Sequence, residues 1–348
     1  MNIVFVSRNF NRIGFEVLNK LICSSFKPKY LILPNSKDKS DYLSPNEIRK
    51  LKKEHEMESK ILNQPNIKYF GDIESLAVKN NIEVKVVESM NTASFKKFLS
   101  NLNVDLMFLG GGWPELINSD IFKIPKYGSL NTHPSLLPKF KGTDVHRWQI
   151  LENTIESGIT IHKINELFDS GEIISQKKIK ILPNTTPQKL VEEISKISGD
   201  VALKAIQKIK SGNMQSKNKN FDSENKYYKK WDWSENDRFF IDFNKDLNEI
   251  QNFILASTQE SYKYNGPFFE FNNEYFILRQ TMPMKTSHHK NEYNGFIGVD
   301  NEKVFIICGN NSDRLEITKI QKINIEDWNG QHKSTAMSGI EFYRKFCI

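Results

Sequence analysis

The chain has 348 residues, of which 38% are hydrophobic, and a formal net charge of +7. No apolar run approaches the roughly 20 residues that span a bilayer, so no membrane-spanning segment is expected. The three cysteines, Cys23, Cys308 and Cys347, form no Cys-x-x-Cys pair, which argues against a disulfide framework or a zinc knuckle and fits a reducing cytoplasm.

Residues 1–7 are too short for the apolar region of a secretory leader and lack its basic start. Residues 2–6 instead predict a short buried strand, followed by a helix over 13–22. This β-α opening holds Gly14 but no Gly-x-Gly-x-x-Gly, which disfavours a dinucleotide site. Ligands of an open parallel sheet gather beyond the carboxyl ends of its strands. Arg8 and Arg12 would stand there, able to fork onto phosphate or carboxylate. Residues 30–33 predict a second strand. The long polar stretch 34–69 contains a charge-mixed helix over 45–60, with Arg49, Lys50, Lys52 and Lys53 clustered among acidic residues.

Next come a helix over 72–80, a strand over 83–87, a helix over 92–102 and a buried strand over 105–109. The alternation predicts a Rossmann-like α/β unit, with a mostly parallel sheet and helices on both faces. The last strand runs into Gly110-Gly111-Gly112-Trp113-Pro114, where bare backbone lets a ligand approach closely.

Residues 128–142 read Gly-Ser-Leu-Asn-Thr-His-Pro-Ser-Leu-Leu-Pro-Lys-Phe-Lys-Gly. Pro134 pushes His133 toward extended geometry. Strand alternation then places Asn131 and His133 on one face, an amide beside an imidazole that can exchange a proton near neutral pH. Thr143 is the expected N-cap of the following helix, with Trp148 and Ile150 in the core. Residues 160–164 and 172–181 predict two strands, with Asp169 in the loop between them. Residues 186–211 form a strongly periodic helix ended by Gly212. Ser135 lacks a Gly-x-Ser-x-Gly setting, so it is not read as a nucleophile. His133, His146 and His162 lack metal-ligand spacing, and no metal is expected.

Residues 214–229 read as a linker, and 230–348 as a β-rich module with a strand at 239–243, a helix at 247–257 and five further short strands. Charge divides unevenly along the chain. Residues 216–348 carry 18 Lys and Arg against 19 Asp and Glu, while the first 215 carry 31 against 23. The basic excess lies with the candidate site, which suits a phosphate-bearing substrate there better than a nucleic-acid track along the C-terminal half.

Asn131-x-His133, Ser135 to Pro138, the Lys139-x-Lys141-Gly142 run and the later Asp169 together resemble the folate-dependent formyltransferases. The resemblance is firm over residues 105–175. It implies a catalytic domain at 1–213, a linker at 214–229 and a barrel-like C-terminal domain at 230–348. It also implies an N-formyltransferase using 10-formyltetrahydrofolate as co-substrate. Asn131, His133 and Asp169 would be catalytic. Asn131 would donate to the formyl oxygen or orient the formyl group, and His133 would serve as base or as oxyanion support. Gly111, Gly112, Trp113 and Phe168 would line the folate pocket. Arg8, Arg12, Lys139 and Lys141 would bind the acceptor. Gly110 to Trp113 and the run after Gly142 look most like the sugar-nucleotide branch. That implies a dTDP- or UDP-linked 4-amino-4,6-dideoxyhexose as acceptor, in lipopolysaccharide or O-antigen synthesis. Methionyl-tRNA is the alternative acceptor, and the 45–60 helix would then hold it. The β-rich module also offers a surface for a homodimer.

Overall fold

The computed structural model describes residues 1–9, 11–35, 72–213, 226–233, 237–257, 266–284, 293–309, 313–327 and 334–348. The charge-mixed helix expected at 45–60 and the linker core at 214–225 lie outside the described residues. The chain divides into two units that interleave in sequence. One comprises Met1–Lys141, Gly158–Ile179 and Val191–Lys226; the other comprises Gly142–Ser157, Lys180–Leu190 and Tyr227–Ile348.

The elements run in order β1 (Ile3–Val6), α1 (Arg12–Ile22), β2 (Tyr30–Pro34), α2 (Ile73–Lys79), β3 (Glu83–Val87), α3 (Ala93–Asn101), β4 (Leu106–Leu109), α4 (Ser119–Phe122) and β5 (Ser129–His133). They continue through β6 (Lys141–Gly142), α5 (Val145–Leu151), β7 (Glu156–Lys163), β8 (Ile173–Lys180) and α6 (Pro187–Ser211). Among the described residues, β3-β2-β1-β4-β5-β7-β8 form a seven-stranded sheet. Strands β1 to β5 pair in parallel, and β7 runs antiparallel to β5. The mostly parallel α/β fold expected from the alternation is therefore present.

Strand β1 is buried along its whole length, as a central parallel strand should be. It is flanked by β2 on one side and β4 on the other. The order reverses there, and crevices open at such points beyond the strand ends. The Asn11 side chain caps α1 by accepting from the Gly14 amide at 2.8 Å. Gly14 is needed at that position: a Cβ would lie 2.3 Å from Ser7 Oγ and 3.3 Å from the Gly110 carbonyl oxygen. The start of α1 is thus seated directly against the ends of β1 and β4.

The second unit contains β9 (Tyr227–Tyr228), α7 (Leu247–Ala256), β10 (Phe268–Phe271), β11 (Glu274–Met284), β12 (Ile297–Asp300), β13 (Lys303–Cys308), β14 (Asp313–Ile323), β15 (Met337–Ser338) and α8 (Gly339–Phe346). Its main sheet follows β10-β11-β14-β13-β12, with β15 added to β14. Phe276, Leu278, Ile306, Leu315, Ile320 and Phe342 are fully buried in its core. The module is β-rich as expected.

Three expectations need correction. Thr143 does not cap α5. Asp144 stands at that position with φ of 51°, and its carboxylate accepts from the Trp231 backbone amide at 2.9 Å instead of capping. Residues 239–243 are not a strand. Phe240 makes one isolated bridge to Phe268, and the Asp242 side chain then turns the backbone by accepting from the Asn244 amide. The module also holds a second helix, α8. Its capping box, Ser338 with Glu341, was readable as a start signal. No described helix is long and apolar enough to cross a membrane.

Candidate active site

Strand β5 delivers Asn131 and His133 to one face, as alternation requires. The antiparallel register places His162 of β7 directly opposite Asn131. Cross-strand partners share a face, so a second imidazole joins the pair. The His133 and His162 rings stand edge to face, 6.5 Å apart.

Asp169 arrives from the β7–β8 connection. The base of this loop is closed by the Lys163 amide donating to the Glu172 carbonyl at 2.9 Å, and by a Lys163–Glu172 ion pair at 2.7 Å. Gly171 lies so close to the Lys163 carbonyl that a Cβ would be 1.7 Å from its oxygen. Asp169 itself takes a left-handed conformation, φ 49°. This tight turn aims the carboxylate back at the strand face. Asp169 Oδ1 lies 3.4 Å from Asn131 Nδ2, 3.5 Å from His133 Nδ1 and 3.5 Å from His162 Nε2. His133, His162 and Asp169 are all buried.

The hydrogen bonds fix the tautomers. His133 Nε2 sits 2.6 Å from the Phe140 carbonyl, so it must donate, which leaves Nδ1 facing Asp169. His162 Nδ1 donates to the Lys163 carbonyl at 2.9 Å, so its Nε2 accepts from Asn131 Nδ2 at 3.2 Å. Both amide hydrogens of Asn131 are therefore directed at protein acceptors. The amide carbonyl is the group available to a substrate N–H. Burial lowers the pKa of His133, and the Asp169 charge and the Phe140 carbonyl oppose that shift. His133 is thus held neutral near pH 7, with Nδ1 ready to take a proton.

The glycine run after β4 lies beside this face. Gly111 and Gly112 have φ of 108° and 78°, which favour glycine. A Cβ on Gly111 would stand 3.7 Å from the Thr132 carbonyl oxygen, between the two β5 side chains in sequence. A Cβ on Gly112 would meet Asn11 Nδ2 at 3.0 Å and Arg8 Cδ at 3.2 Å. Bare backbone here lets a ligand approach the chain closely. Trp113 is half-buried, and its indole N–H donates to Glu115. Glu115 also accepts from the Met90 amide at 2.7 Å, which pins the loop. Phe168, next to Asp169, is 46% exposed, an apolar surface at the lip of the turn.

The four basic residues separate. Arg8 stands against Gly112. Arg12 reaches Glu192 at 3.6 Å. Lys139 is exposed. Lys141 is buried and donates to Ser170 Oγ at 3.2 Å. The structure thus brings together Asn131, His133, Asp169 and Lys141, and separately Arg8 with the glycine run. Sequence reasoning missed His162: its place on an expected strand was visible, but the pairing of that strand with β5 was not. It also missed Asn11, readable as the N-cap of α1. Among the described residues, no group of three His, Cys, Asp or Glu side chains is arranged to hold a metal ion.

Residues 50–206 match the family described as Formyl transferase, and residues 234–333 match Formyl transferase, C-terminal domain. The chain belongs to the formyl transferase family. It is 28% identical over 191 residues to the bifunctional polymyxin resistance protein ArnA of Wigglesworthia glossinidia brevipalpis, covering 55% of this chain and 28% of that protein. It is 29% identical over 215 residues to the methionyl-tRNA formyltransferase of Fusobacterium nucleatum subsp. nucleatum, covering 60% of this chain and 67% of that protein. The matched stretch therefore spans from about a quarter to two thirds of these relatives. The fold resembles the crystal structure of WlaRD, a sugar 3N-formyl transferase, with a TM-score of 0.60 and 20% identity over 93% of this chain and 98% of that one.

Proposed function

We propose that the chain transfers a formyl group from 10-formyltetrahydrofolate to the amine of a nucleotide-linked amino sugar, a dTDP- or UDP-linked amino-dideoxyhexose. One observation carries the reading: Asp169 Oδ1 gathers Asn131, His133 and His162 on one strand face, next to a bare glycine run. The folate supplies the formyl carbon as electrophile. The amine must attack as the free base, its extra proton must leave, and the folate nitrogen must gain one. His133 Nδ1 accepts the amine proton, with Asp169 stabilising the imidazolium that results, and returns it to the leaving nitrogen. The Asn131 carbonyl accepts from the amine and orients its lone pair. Gly111, Gly112, Trp113 and Phe168 line the folate site. Arg8, with Arg12 near it in sequence, and Lys139 face the acceptor's phosphates. In this reading the catalytic domain is 1–213 and the C-terminal domain 230–348.

Two facts support the sugar acceptor. The fold likeness to a sugar 3N-formyl transferase extends over nine tenths of both chains. Residues 216–348 also carry no basic excess for gripping a tRNA. The sequence match to methionyl-tRNA formyltransferases favours the second reading, in which the acceptor is charged initiator tRNA. An assay with 10-formyltetrahydrofolate and three acceptors separates them: a dTDP-3-amino sugar, a dTDP-4-amino sugar and methionyl-tRNA, read by mass spectrometry. Gain of one formyl on a sugar nucleotide alone is the expected result. Formylation of the tRNA alone would overturn the acceptor and keep the chemistry.

A further inference from the structure

The sequence reading placed Lys141 among ligands of the acceptor, but the structure buries it to 5% exposure. Lys139, two residues earlier, is exposed. The Lys141 ammonium donates to Ser170 Oγ at 3.2 Å. That hydroxyl in turn donates to the Phe168 carbonyl at 2.9 Å. The second bond straddles Asp169, so Lys141 is tied to the residues on both sides of it. This is the turn in which Asp169 holds its left-handed backbone.

We infer that Lys141 is a positioning residue for Asp169: its buried ammonium fixes the turn and holds the carboxylate as an anion opposite His133. A buried ammonium is costly unless a carboxylate offsets it. Burial lowers the pKa of Lys141 and Asp169 raises it, so the two charges act on each other. Three groups that meet Asp169 Oδ1, Asn131, His133 and His162, carry no permanent charge. The Lys163–Glu172 pair at the base of the loop neutralises itself. Lys141 is therefore a fixed cation beside the cluster. It favours the Asp169 carboxylate as an anion. Removing it frees the turn and weakens the negative charge that Asp169 sets against His133, a charge that favours the imidazolium.

The kinetic part of the test rests on the formyl-transfer reading; the titration does not. The His133 ring would be titrated by NMR in the free full-length protein, with His133→Asn to assign the signal. In Lys141→Met the His133 midpoint is expected to fall by about one pH unit. Lys141→Arg is expected to restore it. In the transfer assay, Lys141→Met should move the acid limb of kcat/KM to lower pH. It should lower kcat at least about tenfold with the acceptor KM within about threefold. Lys141→Gln keeps a donor for Ser170 without the charge, serves if the Met variant does not fold, and should show the same His133 shift. An unchanged His133 midpoint in a folded Met or Gln variant would overturn the inference. So would an acceptor KM raised about tenfold at constant kcat, the signature of a direct phosphate ligand. If the protein transferred no formyl group at all, the titration would still judge Lys141.

Discussion

Each unit of this protein buries polar groups, and the two do so differently. In the C-terminal unit, buried Arg279 donates twice to Gln321 Oε1, at 2.8 and 2.5 Å. Gln321 passes the chain on to the Ser334 carbonyl at 2.6 Å, and nearby Thr281 donates to Gln251 at 2.7 Å. These bonds are short and each group has a definite partner. At Asp169 Oδ1, three neighbours converge at 3.4 to 3.5 Å. Catalytic hydrogen bonds are often long before substrate arrives and tighten in the reacting complex. A short, fully committed network serves the fold. A long, converging one leaves its groups able to act on something else.

The largest test of this contrast is Gly171→Ala. The added methyl must push the turn off the Lys163 carbonyl and carry Asp169 with it. A misplacement of about 1 Å costs about a hundredfold in rate, so a drop of that size is expected in kcat. Arg279→Met attacks the other network. It should cost about 2–4 kcal/mol of stability by urea unfolding, since it leaves Gln321 without its donor. It should leave kcat unchanged below the unfolding transition.

Burial of His133 adds a pH dependence. Its folded pKa lies below the ordinary 6.5, so the unfolded chain takes up the proton first as pH falls. Stability should be full above about pH 6.5 and be lost as pH drops toward the folded value, by at most about 1.4 kcal/mol per pH unit. His133→Asn should flatten that slope in unfolding curves taken at several pH values. The smallest effect lies in α8: Ser338→Ala removes the capping box and should cost about 1 kcal/mol, with no change in transfer.

Much of this was readable in the sequence. The buried run at Ile3–Val6 and the alternation of helices and strands declared a parallel sheet. Asn131, His133 and Asp169 were singled out by residue type and by the resemblance of their motif, and the structure brings their side chains together. What escaped depended on register and on local turns. His162 joins the site because β7 pairs antiparallel with β5, and pairing partners cannot be read from one strand. Lys141 looks like any surface lysine until the turn at Phe140, φ 57°, sends it inward. Residues 239–243 have strand composition, yet Asp242 bends the backbone before a ladder can form.

The central claim is that Asp169 is the hub of a formyl-transfer site. The most direct measurement is single-turnover formyl transfer by Asp169→Asn, followed by mass spectrometry with both substrates saturating. The substitution keeps the size of the side chain and removes its charge. A rate about a thousandfold below that of the unsubstituted protein, with folate binding retained, is the predicted result. A rate within about twofold would contradict the account and move the chemistry away from this cluster.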